Sequence, residues 1–128
     1  MTKKNGLCPC GTGDAYAVCC GRYHLDEVVP PTAEKLMRSR YSAFALEDGD
    51  YLLRTWHPDT RPFELELDTA IHWTGLEILG STRGTMFDTE GTVEFRASYR
   101  SPEGAGSQQE LSNFVREGGR WYYLDAQD

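Results

Sequence analysis

Beyond residue 20 this 128-residue chain has no cysteine, and the four it has lie between positions 8 and 20. No disulfide framework can therefore run through the rest of the chain. No apolar run approaches the ~20 residues a membrane-spanning helix needs. Positive charge is scarce: 13 Lys and Arg stand against 20 Asp and Glu, for a net charge of −7. That balance argues against general nucleic-acid binding. Met1-Thr2-Lys3-Lys4-Asn5-Gly6 offers no apolar stretch before the first cysteine. No secretory leader is expected, and a reducing, cytoplasmic setting is. Phosphate-binding loops, nucleophile motifs, internal repeats and a second metal cluster are all missing. At this length one compact core is expected, with a small appendage around the cysteines.

What is present is concentrated at the start. Cys8-Pro9-Cys10-Gly11-Thr12-Gly13-Asp14-Ala15-Tyr16-Ala17-Val18-Cys19-Cys20 spaces its cysteines as Cys-x-Cys-x8-Cys-Cys. Two close pairs around a glycine-bearing loop present four thiolates to one tetrahedral ion. Gly11 and Gly13 permit the tight backbone that lets N–H groups approach the sulfurs. Zinc on Cys8, Cys10, Cys19 and Cys20 is the leading expectation. A disulfide pair and an iron–sulfur centre are the lesser alternatives. His24 is a fifth soft donor, expected either not to touch the metal or to stand in for Cys20. Four thiolates close the tetrahedron, so the metal is expected to be structural rather than catalytic.

The cysteine string resembles the SEC-C motif, a small zinc knuckle of the form Cys-x-Cys-x-Ser-Gly followed by Cys-Cys or Cys-His. Thr12 stands where that motif has Ser, and Asp14 and Ala15 stand where it commonly has lysine. The missing lysines weaken any carry-over of acidic-partner binding. The resemblance extends further, through Pro31–Phe44, Tyr51–Pro58, Gly91–Phe95 and Gly119–Tyr123. These segments are similar to the YchJ-like family of small bacterial proteins. The resemblance implies a SEC-C knuckle, residues 1–24, before a nuclear-transport-factor-2-like α+β cone, residues 25–128. It implies no activity.

The residues alone point the same way. Residues 1–24 carry three basic groups and one acidic, and residues 25–128 carry ten basic and nineteen acidic. A loaded four-thiolate zinc site brings the first segment to about neutral, so a basic patch is not expected there. Thr32 is a plausible N-cap for a helix whose stripe is Ala33, Leu36, Met37, Tyr41, Phe44 and Ala45. Gly49 is expected to end that helix, and Asp50 to cap a second one running to Trp56. Glu64-Leu65-Glu66-Leu67 reads as either a short strand or an irregular edge. Strands are expected at Leu76–Leu79, Val93–Tyr99, Leu111–Arg116 and Trp121–Leu124, the last two joined by a Gly118-Gly119 hairpin. Ser101–Gln109 reads as a mobile polar loop. Helices followed by a strand meander define an α+β class with an antiparallel sheet.

Such a cone commonly leaves a cavity. Its candidate polar lining is Arg40, His57, His72, Glu94, Glu110 and Ser112, with Trp56, Trp73 and Trp121 as walls. Each has a plainer reading: Arg40 paired with a buried acid, His57 as a turn residue, Glu94 on a solvent face, the tryptophans in the core. No spacing ties a histidine to a carboxylate, so no catalytic role is assigned. The leading expectation is a zinc-binding adaptor module that meets a protein partner through its knuckle. The alternative is an enzyme or small-molecule binder acting through the cone. An appended knuckle of 24 residues should unfold without zinc while the cone survives.

Overall fold

The computed structural model describes residues 6–127. Lys3 and Lys4, with the other residues before Gly6, lie outside the described residues. A 3-10 turn at Tyr16–Val18 leads into α1 (Cys20–His24), α2 (Ala33–Leu46) and α3 (Gly49–Arg54). Four strands follow: β1 (His72–Arg83), β2 (Glu90–Ser101), β3 (Gly104–Glu117) and β4 (Arg120–Gln127). They form one antiparallel meander in the order β1-β2-β3-β4. Register shifts after Trp73, Ile78 and Asn113 bend the sheet, as inserted residues do. Helix α2 packs against β1, β2 and β4. This is the expected α+β architecture, with helices on a curved antiparallel sheet.

Local chemistry sets the boundaries. Thr32 caps α2 as expected, accepting from the Lys35 N–H at 3.1 Å. The end of α2 differs from expectation. Glu47, not Gly49, takes the left-handed conformation, at φ 60°. Asp48, not Asp50, then caps α3 by accepting from Tyr51 N–H at 3.1 Å. Gly49 is the first residue of α3, and that helix stops at Arg54 rather than Trp56. Residues 64–67 are irregular, with Leu65 and Leu67 packed on Tyr23, Ala43, Tyr51 and Leu52. The 101–109 segment is not a loop. It turns over Pro102-Glu103 and pairs with β2 from Ser101↔Gly104 onward. Its side chains are polar because this end of the sheet is largely exposed, and Gly106 is small where the Tyr99 ring lies over it. The Gly118-Gly119 hairpin forms as expected, both residues at positive φ, as a two-residue turn between right-twisted strands requires.

The main core cluster joins the two halves of the chain. It contains Leu36, Met37 and Tyr41 of α2, Val93, Phe95 and Ala97 of β2, Phe114 and Trp121, together with Cys8, Cys10 and Cys20. The cysteine segment is therefore packed into the core rather than hung from it.

Candidate metal centre and cone cavity

The cysteine loop is built by its own backbone. Cys8 N–H donates to Asp14 O at 2.8 Å, Tyr16 N–H to Gly6 O at 3.0 Å, and Gly11 N–H to Cys8 O at 3.2 Å. Gly11 and Gly13 sit at φ 87° and 89°, where a side chain would be strained. The turn and α1 bring the second cysteine pair back over the first. The four sulfurs lie within 4.8 Å of one another, and Cys10 Sγ is 3.7 Å from Cys19 Sγ. No disulfide links them. Thr12 Oγ1 lies 3.2 Å from Cys19 Sγ, so the threonine supplies a hydroxyl beside sulfur. Ser42 Oγ of α2 is 3.4 Å from Cys8 Sγ. Hydrogen bonding from Cys10 and Cys20 holds the Cys8 thiol down to about 3. Hydrogen bonding to Cys10 and Cys8, with burial, pushes Cys20 up. Sulfurs crowded this closely cannot all be anionic without a cation among them. A soft divalent ion fits that donor set.

His24 lies outside the sulfur cluster. Its Nε2 lies 2.8 Å from Ser39 O, a carbonyl that can only accept, so Nε2 carries the proton. Nδ1 then accepts from the Tyr16 hydroxyl at 2.5 Å. Both ring nitrogens are occupied by oxygen partners. Burial holds this imidazole below its usual range, partly offset by the Ser39 hydrogen bond. Arg38 donates to Cys10 O at 2.9 Å, and Arg54 donates to His24 O at 2.9 Å. These cross-links pin the cysteine segment to α2 and α3.

Between α2 and the sheet lies a partly open cavity of about 260 Å³. Of the residues named from the sequence, Arg40, Trp56, Trp73, Glu110 and Ser112 line it. Met37, Tyr41, Phe44, Phe95 and Phe114 complete its apolar wall, with Tyr123 and Gln108. Four candidates are elsewhere. Glu94 is on the outer face of β2, accepting from Gln109 at 2.9 Å, because the inward residues are its neighbours Val93 and Phe95. His57 is a buried turn residue: Nε2 donates to Glu117 at 2.9 Å and Nδ1 accepts from Asp59 N–H at 3.1 Å. Trp121 donates its indole N–H to Pro31 O at 3.1 Å and walls a separate cleft with Tyr23 and Leu36. His72 is exposed at the start of β1. The sequence reading missed Tyr123, although it shares the inner face of β4 with Trp121, two residues away.

Arg40 is 5% exposed. Its Nη1 donates to Leu52 O at 2.8 Å and Thr55 Oγ1 at 2.6 Å. The guanidinium lies 4.6 Å from the Tyr123 ring centre and 5.4 Å from that of Trp56. The buried acid expected beside it is missing: among the described residues no carboxylate reaches it within 4.0 Å. Burial lowers its pKa to about 10, so it remains a cation at neutral pH.

Fold and sulfur cluster together define a SEC-C motif protein built on a nuclear-transport-factor-2-like cone. Residues 5–22 match the SEC-C motif, and residues 32–126 match the family described as YchJ, middle NTF2-like domain. The chain is 55% identical over 120 residues to a UPF0225 protein of Streptomyces avermitilis, covering 94% of this chain and 83% of that one. It is 50% identical over 121 residues to a UPF0225 protein of Deinococcus radiodurans, covering 93% and 87%. The chain belongs to this UPF0225, YchJ-like family. The solution structure of a SEC-C motif containing protein from Rhodopseudomonas palustris superposes with a TM-score of 0.82 at 35% identity, covering 94% of this chain and 96% of that one. A crystal structure of another, from Psychrobacter arcticus, gives 0.80 at 31%, covering 98% and 84%. Membership supplies a fold and a motif but no activity. No helix among the described residues is long and apolar enough to cross a membrane.

Proposed function

We propose that the protein is a cytoplasmic small-molecule binder whose cone is held in shape by one structural zinc on Cys8, Cys10, Cys19 and Cys20. The observation that carries the binding role is the aromatic-walled, partly open cavity of about 260 Å³ in the cone. Concave apolar pockets with a few convergent polar groups are where small molecules bind. The four sulfurs within 4.8 Å support the metal, and the free thiols suit a reducing compartment. Zinc would supply charge neutralisation and a rigid node; with four thiolates bound it has no open position for catalysis.

Two measurements test this reading. Elemental analysis of protein purified without added metal is expected to find one zinc per chain. Sub-stoichiometric zinc, or an iron chromophore, would remove the metal assignment. For the cavity, titration with a neutral one-ring ligand such as benzyl alcohol is expected to shift amide resonances of Met37, Phe95 and Phe114 together. No shift with any one-ring ligand, neutral or acidic, would remove the binding role.

A protein-partner role for the knuckle has one observation in its favour. Leu7, Val18 and Leu25 are 69%, 62% and 73% exposed, on the cysteine segment and just after α1. A photo-crosslinker placed at Val18 is expected to capture one reproducible protein in cells under this reading, and none under the cavity reading alone.

A further inference from the structure

We infer that the cone cavity takes a small monocarboxylic acid with a flat apolar body, its carboxylate seated on the guanidinium of Arg40. This rests on the cavity reading above and adds the chemical class of ligand. A cation removed from water costs several kcal/mol unless a counter-charge or dense hydrogen bonding offsets it. Arg40 has two acceptors on Nη1 and two aromatic faces. Its Nε and Nη2 have no acceptor among the described residues. A guanidinium presents its N–H groups as a fork that fits a carboxylate. A second donor beside the cavity is also unmatched: Trp56 Nε1 is buried with no hydrogen-bond partner. A buried donor left without an acceptor is rare and calls for one. Both residues belong to the cavity wall. What these two residues lack is an acceptor with negative charge within their reach.

Size and charge narrow the class. A cavity of about 150 Å³ holds one benzene, so one of about 260 Å³ has room for a ring and a short acid arm. Glu110 is the one carboxylate in the wall. It accepts from Gln108 and stays beyond ion-pair distance of Arg40. Its charge favours ligands with one anionic group over those with two.

The test compares 3-phenylpropionate with its neutral near-isostere 3-phenylpropanamide on the full zinc-loaded chain. Heteronuclear NMR follows the Trp56 indole N–H and the Arg40 Nε–H. The acid is expected to bind about tenfold or more tighter than the amide, the scale of one charge-assisted pair, and to move both side-chain signals. Arg40→Met and Arg40→Gln each remove the charge, the second keeping a donor for Leu52 O. Each is expected to bring acid and amide to equal affinity. Equal binding of the two compounds to the unaltered protein overturns the carboxylate assignment and leaves a plain apolar pocket. Failure of acid, amide and benzyl alcohol alike overturns the cavity reading itself. The comparison on the unaltered chain decides the matter even if both variants fail to fold.

Discussion

Gly21 shows how tightly single residues constrain the cysteine segment. A Cβ there would stand 2.8 Å from Tyr16 O and 3.0 Å from Tyr16 Cε2. Tyr16 cannot yield freely, because its hydroxyl is held by His24 and His24 by Ser39 O. Gly21→Ala is therefore expected to cost about 1–3 kcal/mol, the usual range for overpacking a filled site. Thermal melts and zinc retention against a competing chelator should both register it; an unchanged melting midpoint would show that the tyrosine moves aside at no cost.

His24 gives a pH prediction of definite sign. Its folded pKa lies below the usual 6.5 because burial disfavours the imidazolium. As pH falls through about 6.5 the unfolded chain takes up the proton first, so stability is retained above that value and declines below it. An NMR titration should show the His24 ring still neutral at pH values where a free imidazole is already charged. Since oxygen partners occupy both ring nitrogens, His24→Ala is expected to weaken zinc binding far less than Cys20→Ala. The reverse order would make His24 the fourth ligand.

At the scale of elements, two caps hold the helical layer. Thr32→Ala and Asp48→Ala each leave a first-turn N–H without its acceptor. Each is expected to lower stability by about 0.5–2 kcal/mol in denaturant unfolding. Losses near zero for both would mean water replaces the caps. The two differ in how far the sequence revealed them. Thr32 stands directly before an apolar stripe and is readable. Asp48 was masked by Gly49, the residue type that usually ends a helix, because Glu47 took the left-handed position instead. The strand at 104–109 was hidden for another reason. Its ladder to β2 is a backbone property, and its exposed side chains carry no alternating apolar signal.

The whole molecule divides legibility the same way. The cysteine cluster is local, so its spacing could be read directly. The cavity is not: Arg40, Trp56 and Glu110 converge only after α2, the segment after α3 and β3 have folded together. Sequence singled out Arg40, Trp56, Trp73, Glu110 and Ser112 by type. It could not separate them from Glu94, which shares strand β2 with Phe95 but faces the other way, or from His57, whose partner Glu117 lies sixty residues on. Nor could it show that the acid expected beside Arg40 is missing.

The most consequential difference lies in how knuckle and cone are joined. As an appendage, the cysteine segment would unfold alone on chelation and leave the sheet intact. The structure places Cys8, Cys10 and Cys20 in one cluster with Leu36, Met37, Val93 and Trp121, with Ser42 against Cys8 and Arg38 on Cys10 O. Structural zinc contributes about 10–16 kcal/mol of apparent binding energy in small peptides at pH 7. A whole domain is stable by only about 5–15 kcal/mol. A zinc tied into the core can therefore account for much of the stability of the fold. Removing it with a strong chelator is expected to raise amide exchange throughout α1 and across α2, and to lower the melting midpoint of the sheet. The β2–β3 ladder, the longest continuous pairing, should lose protection last. Exchange confined to residues 6–24, with α2 unchanged, would show that the cluster is a surface contact and return the knuckle to the role of an independent module. Spread into α2 would mean that zinc loss also loosens the helix carrying Arg40, so ligand affinity in the cavity should fall with metal content although the two sites share no residue.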